Sequence, residues 1–239
     1  MQYGSATLEL KWGGEMKVVI FGASGMVGQG ALQVCLRDPD VQRVVSVVRA
    51  ATGKQHEKLH EIAHQNFLDF TPIENELTGL DACLFCLGVS SAGISEDAYT
   101  RITYGFAIAA AETLLKLNPG MSFIHVSGAG ADSTERGRVM WARVKGKTEN
   151  ALLAMPFRSA YIFRPGVIQP LDRIKSKTPS YRWIYKAATP ILTVARRFWP
   201  QFVSTTEELG RALLAAAKRG TGKRVVEAKE ISMLLETLS

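Results

Sequence analysis

The sequence predicts a single doubly wound α/β domain built on a parallel sheet, and three observations predict it. An apolar run, Lys17 to Phe21, ends in Gly22-x-x-Gly25-x-x-Gly28 and passes directly into a helical pattern. Short runs rich in Val, Ile and Phe then alternate with amphipathic stretches as far as Arg164, which is the rhythm of βα units. The length of 239 residues, 46% of them hydrophobic and 21% charged, suffices for a full core without disulfides. Residues 16–239 are read as that one domain, with 170–204 as a small basic and aromatic helical lobe over its cleft. Residues 1–15 are read as an extension lying outside the fold, disordered or a start-site artefact.

The opening run reads as a buried parallel strand, because Val and Ile suit a pleat covered on both faces. Gly22 lets the backbone leave the strand in a conformation other residues avoid. Gly25 permits main chain to approach a pyrophosphate, and Gly28 allows the new helix to pack close to the sheet. The first N–H groups of that helix have no intrahelical partner, so Gly22, Ala23, Ser24, Gly25, Met26, Val27 and Gly28 form a candidate phosphate cradle. The order of strand, glycine triplet and helix points to a dinucleotide.

Val27 to Arg37 follows as an amphipathic helix, stopped by Asp38-Pro39-Asp40. Val44 to Val48 is a second buried strand that ends at Arg49. An acid at that strand end would accept from a ribose 2′-hydroxyl, whereas a cation would hold a 2′-phosphate. Arg49 stands there with Lys54 after it and no acid before Glu57, which favours NADP(H) over NAD(H). Lys54 to Ala63 is expected to be a short helix and His64 to Leu68 a third strand. Asn66 and Phe67 would then lie beside an adenine. Leu80 to Leu87 is the fourth strand, and its small-residue exit, Gly88-Val89-Ser90-Ser91-Ala92-Gly93, leaves room for the ligand crevice of an open sheet.

A long helix, Glu96 to Leu117, stops at Asn118-Pro119-Gly120. Ser122 to Val126 is the fifth strand and delivers Ser127 to the end of the sheet where chemistry is expected. On the next helix, Arg138 to Met155, Trp141 and Lys145 are four apart and share a face. Ala160 to Phe163 is the sixth strand and leads into Arg164-Pro165-Gly166. Thr205 or Thr206 caps a helix running to about Lys218, and a short strand at Val225-Val226 and a last helix from about Ile231 complete the chain.

Several function classes lose support from composition. No stretch approaches the ~20 apolar residues of a membrane-spanning helix, and residues 1–15 lack the apolar core of a signal peptide. The cysteines, Cys35, Cys83 and Cys86, lie in apolar surroundings, and strand alternation would turn Cys83 and Cys86 to opposite faces. Core packing is thus their expected role and the cytoplasm the expected compartment. His56, His60 and His64 are four apart but no further ligand completes a metal site, so they read as surface histidines. The net charge of +7 fits an anionic coenzyme, acidic lipid or nucleic acid, and no nucleic-acid motif accompanies it. Between 172 and 200, seven Lys or Arg stand against one acid, interleaved with Tyr181, Trp183, Tyr185, Phe198 and Trp199. That segment suits either an anionic membrane interface or, as the plainer reading, a lobe over the cleft whose charges are solvated.

Taken together, Gly22–Gly28, Cys86-Leu87-Gly88, Arg101-Ile102-Thr103, Val126–Asp132, Val144-Lys145-Gly146-Lys147-Thr148-Glu149 and Phe163-Arg164-Pro165-Gly166-Val167 resemble the short-chain dehydrogenase/reductase superfamily. The resemblance covers nearly everything from Met16 onward and is to its atypical, extended-like branch. That branch includes the HIV Tat-interacting-protein-type oxidoreductases and bacterial NAD(P)H-binding epimerase/dehydratase-like proteins. It implies a Rossmann fold, a bound NADP(H), a small-molecule substrate, and coenzyme contacts from Arg164, Pro165, Gly166 and Val167. It also implies that Ser127 polarises a substrate oxygen and that Lys145 holds the nicotinamide ribose. The family's supporting Asn corresponds to Thr103, and its proton-exchanging Tyr corresponds to Trp141. An indole N–H does not ionise in the working range, so Trp141 is no general acid. Tyr99, Tyr104, Asp132, water or a substrate group could supply the proton instead, or the coenzyme could be bound without turnover.

Overall fold

The computed structural model describes residues 14–169 and 203–237. Its centre is a seven-stranded sheet, every pairing of which is parallel. The strands are β1 (Met16–Phe21), β2 (Val41–Val48), β3 (Leu59–Ala63), β4 (Ala82–Phe85), β5 (Ser122–Val126), β6 (Ser159–Arg164) and β9 (Val225–Glu227), in spatial order β3-β2-β1-β4-β5-β6-β9. A separate two-stranded sheet pairs β7 (Val167–Gln169) with β8 (Val203–Thr205). The main sheet grows outward in both directions from β1 and β4, so the crevice between their carboxyl ends is the switch point where such folds bind ligands.

Side chains alternate along each strand and build two cores. Val18, Ile20, Leu84 and Ile124 face α1 (Met26–Arg37) and α5 (Thr206–Arg219). Val19, Phe21, Cys83, Phe85 and Phe123 face α3 (Phe106–Leu117) and α4 (Met140–Ala154). The chain closes with α6 (Ala228–Glu236). Cys83 and Cys86 do fall on opposite sides, as strand alternation requires: Cys83 belongs to the second core and Cys86 packs against the first. All three cysteines are free, and burial pushes the Cys86 thiol up to about 12.

The structure corrects the stretch after β2. No helix forms over 54–63: Leu59–Ala63 is a strand, held extended by its pairing with Val44–Val48. Nor is 64–68 a strand. His64 is buried, and its Nε2–H is shared between the carbonyls of Asn66 and Asp69, both at 2.8 Å; it is not a surface histidine. A 3₁₀ helix, Thr71–Leu77, then carries Ile73 and Leu77 into the second core. The long helix expected from Glu96 is also broken into parts. It begins as α2 (Glu96–Thr100), widens into a π-helical turn at Arg101–Gly105, and resumes as α3.

The capping of α5 is as expected. Thr205 Oγ1 accepts from the Glu208 N–H at 3.1 Å, while Glu208 accepts from the Thr205 N–H at 2.8 Å. The readings placed on 1–13 and on 170–202, including the basic and aromatic lobe and its two alternative roles, lie outside the described residues. Among those described, no helix is long and apolar enough to cross a membrane, and no three candidate ligands gather into a metal site.

Candidate functional site

The glycine turn has the geometry that its sequence predicts. Gly22 leaves β1 with φ +82°, and its Cα faces the Leu87 backbone so closely that an added Cβ would lie 2.8 Å from Leu87 Cα. At Gly28 an added Cβ would lie 2.2 Å from the Gly22 carbonyl oxygen, so the first turn of α1 is drawn against the strand exit. Gly25 is the N-cap of α1 and offers no side-chain cap, and the first turn holds no acid. The N–H groups of Met26, Val27 and Gly28 are thereby left for an external acceptor. A pyrophosphate suits this cradle by its charge and its acceptor oxygens. Leu87 and Gly88, with Cys86, stand across from it at the exit of β4, where the Cys86 N–H donates to the Phe21 carbonyl at 2.9 Å.

Arg49 is exposed immediately beyond β2. The following loop is tied down by Glu61, which accepts from the Thr52 N–H at 2.6 Å and from Thr52 Oγ1 at 2.7 Å. That acid, on the strand beside β2, is therefore occupied by the loop itself. Asn66 is exposed, but the Phe67 ring is 2% exposed and packs on Phe21, Phe70 and Phe106. Phe67 is thus a core residue whose ring presents no face to an adenine.

At the other end of the cleft, β5 and α4 bring Ser127, Gly128, Gly130, Trp141 and Lys145 together. Gly146 makes this possible, since an added Cβ there would lie 1.7 Å from the Asp132 carbonyl oxygen; the helix rests directly on the loop after β5. A Cβ placed on Gly128 would have Lys145 Nζ at 3.9 Å and its Cε at 3.8 Å, with no other described neighbour within 4 Å. Trp141 lies against the same turn, its Cη2 3.2 Å from where a Gly130 Cβ would sit. Among the described residues, Lys145 therefore borders a shelf at Gly128 that no other side chain enters. Burial lowers its pKa, and Glu149 one turn along opposes that shift.

Ser127 Oγ is 9% exposed at the residue level and donates to Glu149 Oε1. Arg164 binds the same carboxylate through Nε, at 3.2 and 3.1 Å to its two oxygens, and through Nη2. The guanidinium also reaches Ser133 Oγ at 2.6 Å and Glu227 Oε1 at 2.9 Å. As placed, the Ser127 hydroxyl holds a carboxylate rather than facing the shelf, and Arg164 is engaged with acids. Pro165 is buried while Val167 is exposed, and the Pro165 carbonyl accepts from the Ala129 N–H at 3.0 Å.

The alternative proton donors each have surroundings of their own. Asp132 accepts from Thr134 Oγ1 at 2.6 Å and from the Gly137 N–H at 2.7 Å, and these bonds hold its carboxyl below the usual range. Tyr99 is 2% exposed, and burial raises its phenol pKa. Tyr104 lies under Lys147, whose Nζ is 4.8 Å from the ring centroid. Thr103 is buried within the π-helical turn, a local irregularity that recurs at functional sites. Two participants were not singled out by the sequence reading. Glu149 could have been, because it stands four residues after Lys145 on one helix face. His125, buried beneath Lys145's charge with its pKa lowered to about 3, gives no signal in an apolar strand.

Comparison with known proteins agrees with this geometry. The family described as "Semialdehyde dehydrogenase, NAD binding domain" matches residues 17–104. The chain is 26% identical to Protein HTATIP2 of Rattus norvegicus over 201 residues, 78% of this chain and 81% of that protein. It is 29% identical to Protein FMP52-2, mitochondrial, of Scheffersomyces stipitis over 153 residues, 62% of this chain and 65% of that one. A short chain dehydrogenase from Burkholderia cenocepacia, solved in complex with NADP, superposes with TM-score 0.64 at 16% identity over 93% of each chain. The Bordetella bronchiseptica enzyme WbmF, in complex with NAD+, gives TM-score 0.64 at 13% identity over 94% of this chain and 78% of its own. With a parallel seven-stranded sheet, a glycine turn at its switch point and these relatives, the chain has a Rossmann fold like that of short-chain dehydrogenases/reductases and resembles the atypical branch of that superfamily.

Proposed function

We propose that the protein is an NADP(H)-dependent oxidoreductase acting on a small or lipid-like carbonyl or alcohol in a reducing compartment, the cytoplasm being the one we favour. The observation that carries the reading is the shelf at Gly128, bordered by Lys145 at the end of β5, two strands along the sheet from the glycine turn after β1. Arg49 supports the 2′-phosphorylated coenzyme, since the neighbouring Glu61 is committed to Thr52. The three free cysteines support the compartment.

Bound there, the coenzyme would supply a hydride. The chain's own part is to seat the pyrophosphate on the N–H groups of α1, to hold the nicotinamide ribose hydroxyls with Lys145, and to wall the shelf with Trp141. The test is titration calorimetry with NADPH and NADH, followed by coenzyme consumption across a panel of aldehydes and ketones. NADPH should bind at least tenfold tighter than NADH, and Arg49→Glu should erase that preference. Equal affinity for both removes the NADP(H) assignment. Tight NADPH binding without turnover of any carbonyl would assign a binding role in place of catalysis.

A further inference from the structure

Within the oxidoreductase reading, on which this inference rests, the site lacks the group that would ordinarily deliver the proton. Position 141 carries an indole, Ser127 is turned to Glu149, Asp132 is bonded within its own loop, and Tyr99 is buried. His125 points into the interior beside Phe85, at 5.6 Å between ring centroids. Among the described residues, Lys145 is the one whose side chain comes within 4 Å of where a Cβ on Gly128 would lie.

We infer that Lys145 Nζ is itself the general acid, donating a proton to the substrate oxygen from its position over Gly128. A serine or larger side chain at 128 would stand between Nζ and the shelf; glycine leaves the path clear. During reduction Lys145 releases an N–H proton to the carbonyl oxygen as that oxygen takes the π pair displaced by the hydride arriving at carbon. The carbonyl becomes an alcohol, the coenzyme is oxidised, and the neutral amine is recharged by solvent.

The charges around Lys145 suit this task. Burial favours its neutral form. Glu149 on the same helix would oppose that, but Arg164 and Ser127 hold its carboxylate, so its charge is shared with a guanidinium rather than spent on Lys145 alone. His125, on the strand beneath, is neutral at working pH and adds no positive repulsion or counter-charge. A lysine whose pKa is lowered from the free value gives up its proton more readily than a free one.

Two measurements test this. In the ligand-free protein, peptide-resolved labelling with an amine-reactive ester from pH 6 to 10 should give Lys145 a midpoint below that of surface Lys229. A midpoint equal to or above that of Lys229 overturns the proposal. In the coenzyme-loaded protein, Lys145→Arg keeps a cation for the ribose but cannot release a proton. It should bind NADPH within about fivefold of wild type and lose at least about 100-fold in kcat for carbonyl reduction, the scale of general-acid catalysis. The wild-type kcat should fall as pH rises through the labelling midpoint. Turnover that survives Lys145→Arg within a few fold overturns this inference and leaves the oxidoreductase reading standing, whereas a wild type without turnover removes both.

Discussion

His125 shows how much a single side chain can depend on its surroundings. It lies in β5, stacked between Phe85 and the core, 2% exposed, and neither ring nitrogen has a hydrogen-bond partner among the described residues. Burial first, and the Lys145 charge second, lower its pKa to about 3 from an ordinary 6.5. The unfolded chain therefore binds a proton at this site at pH values where the folded chain does not. The group's contribution to stability is present above pH 6.5 and is lost as pH falls toward 3. Between pH 7 and pH 5 this amounts to about 2 kcal/mol. Urea unfolding at those two pH values should show wild type losing about 2 kcal/mol more than His125→Phe, a variant that keeps a ring against Phe85 and cannot titrate. Equal losses in the two proteins would mean that His125 is solvated or paired in solution. At the same scale, Glu149, Arg164 and Ser127 hold one another, and this is why a serine that the sequence places at a catalytic position offers its hydroxyl to a carboxylate instead.

Among the elements, α5 carries the clearest local instructions. Thr205 and Glu208 close a reciprocal cap, Lys218 and Arg219 occupy its last turn, and its apolar face is buried from Leu209 to Ala217. Lys218 also reaches Asp40 at 2.8 Å, tying the end of α5 to the turn before β2. Removing the cap hydroxyl by Thr205→Ala should destabilise the protein by about 1 kcal/mol, and Thr205→Ser should restore most of it. Thermal unfolding of the three proteins would check this, and an unchanged Thr205→Ala would show that the cap contributes nothing beyond packing. The π-helical turn at Arg101–Gly105 is the contrasting case. Its residues read as continuous helix, and the widening arises where the chain passes over α4 and beneath Leu68, which stands 3.1 Å from where a Gly105 Cβ would be. The strand at Leu59–Ala63 belongs with it: five residues of mixed polarity, between His56 and His64, carry no decisive period, and pairing with β2 selects the extended form.

At the level of the whole molecule, one face of the sheet is closed by two helices that cross at glycine. An added Cβ on Gly30 of α1 would lie 2.2 Å from the Thr206 carbonyl oxygen, and one on Gly210 of α5 would lie 2.9 Å from the Gly30 carbonyl oxygen. Residues nearly two hundred apart in sequence thus meet backbone to backbone. Gly30→Ala should cost roughly 1–3 kcal/mol by overpacking, whereas Gly120→Ala, with nothing within 4 Å, should be close to neutral. Chemical denaturation of both variants would decide it, and a neutral Gly30→Ala would mean that the two helices move apart easily.

Much of this architecture is legible in the chain alone, because it follows from periods and punctuation. Val- and Ile-rich runs of strand length make a buried parallel sheet, Gly22, Gly25 and Gly28 set a phosphate cradle, and Thr205 with Glu208 starts a helix. Each depends on neighbours a few residues away, so local chemistry suffices. The candidate site is different in kind. Whether Ser127 faces a substrate, whether Phe67 is surface or core, and which side chain borders Gly128 all turn on contacts between residues far apart in sequence, such as Phe67 with Phe21 and Ser127 with Glu149. Those contacts are set by how closely Gly146 lets α4 settle on the loop after β5 and by where Arg164 finds its acids. Sequence determined the fold and the glycine turn at its switch point, because backbone geometry and periodicity are local. Tertiary packing alone decided that Lys145, and not the hydroxyl of Ser127, stands at the open shelf, because only the folded chain distributes its few buried charges among partners.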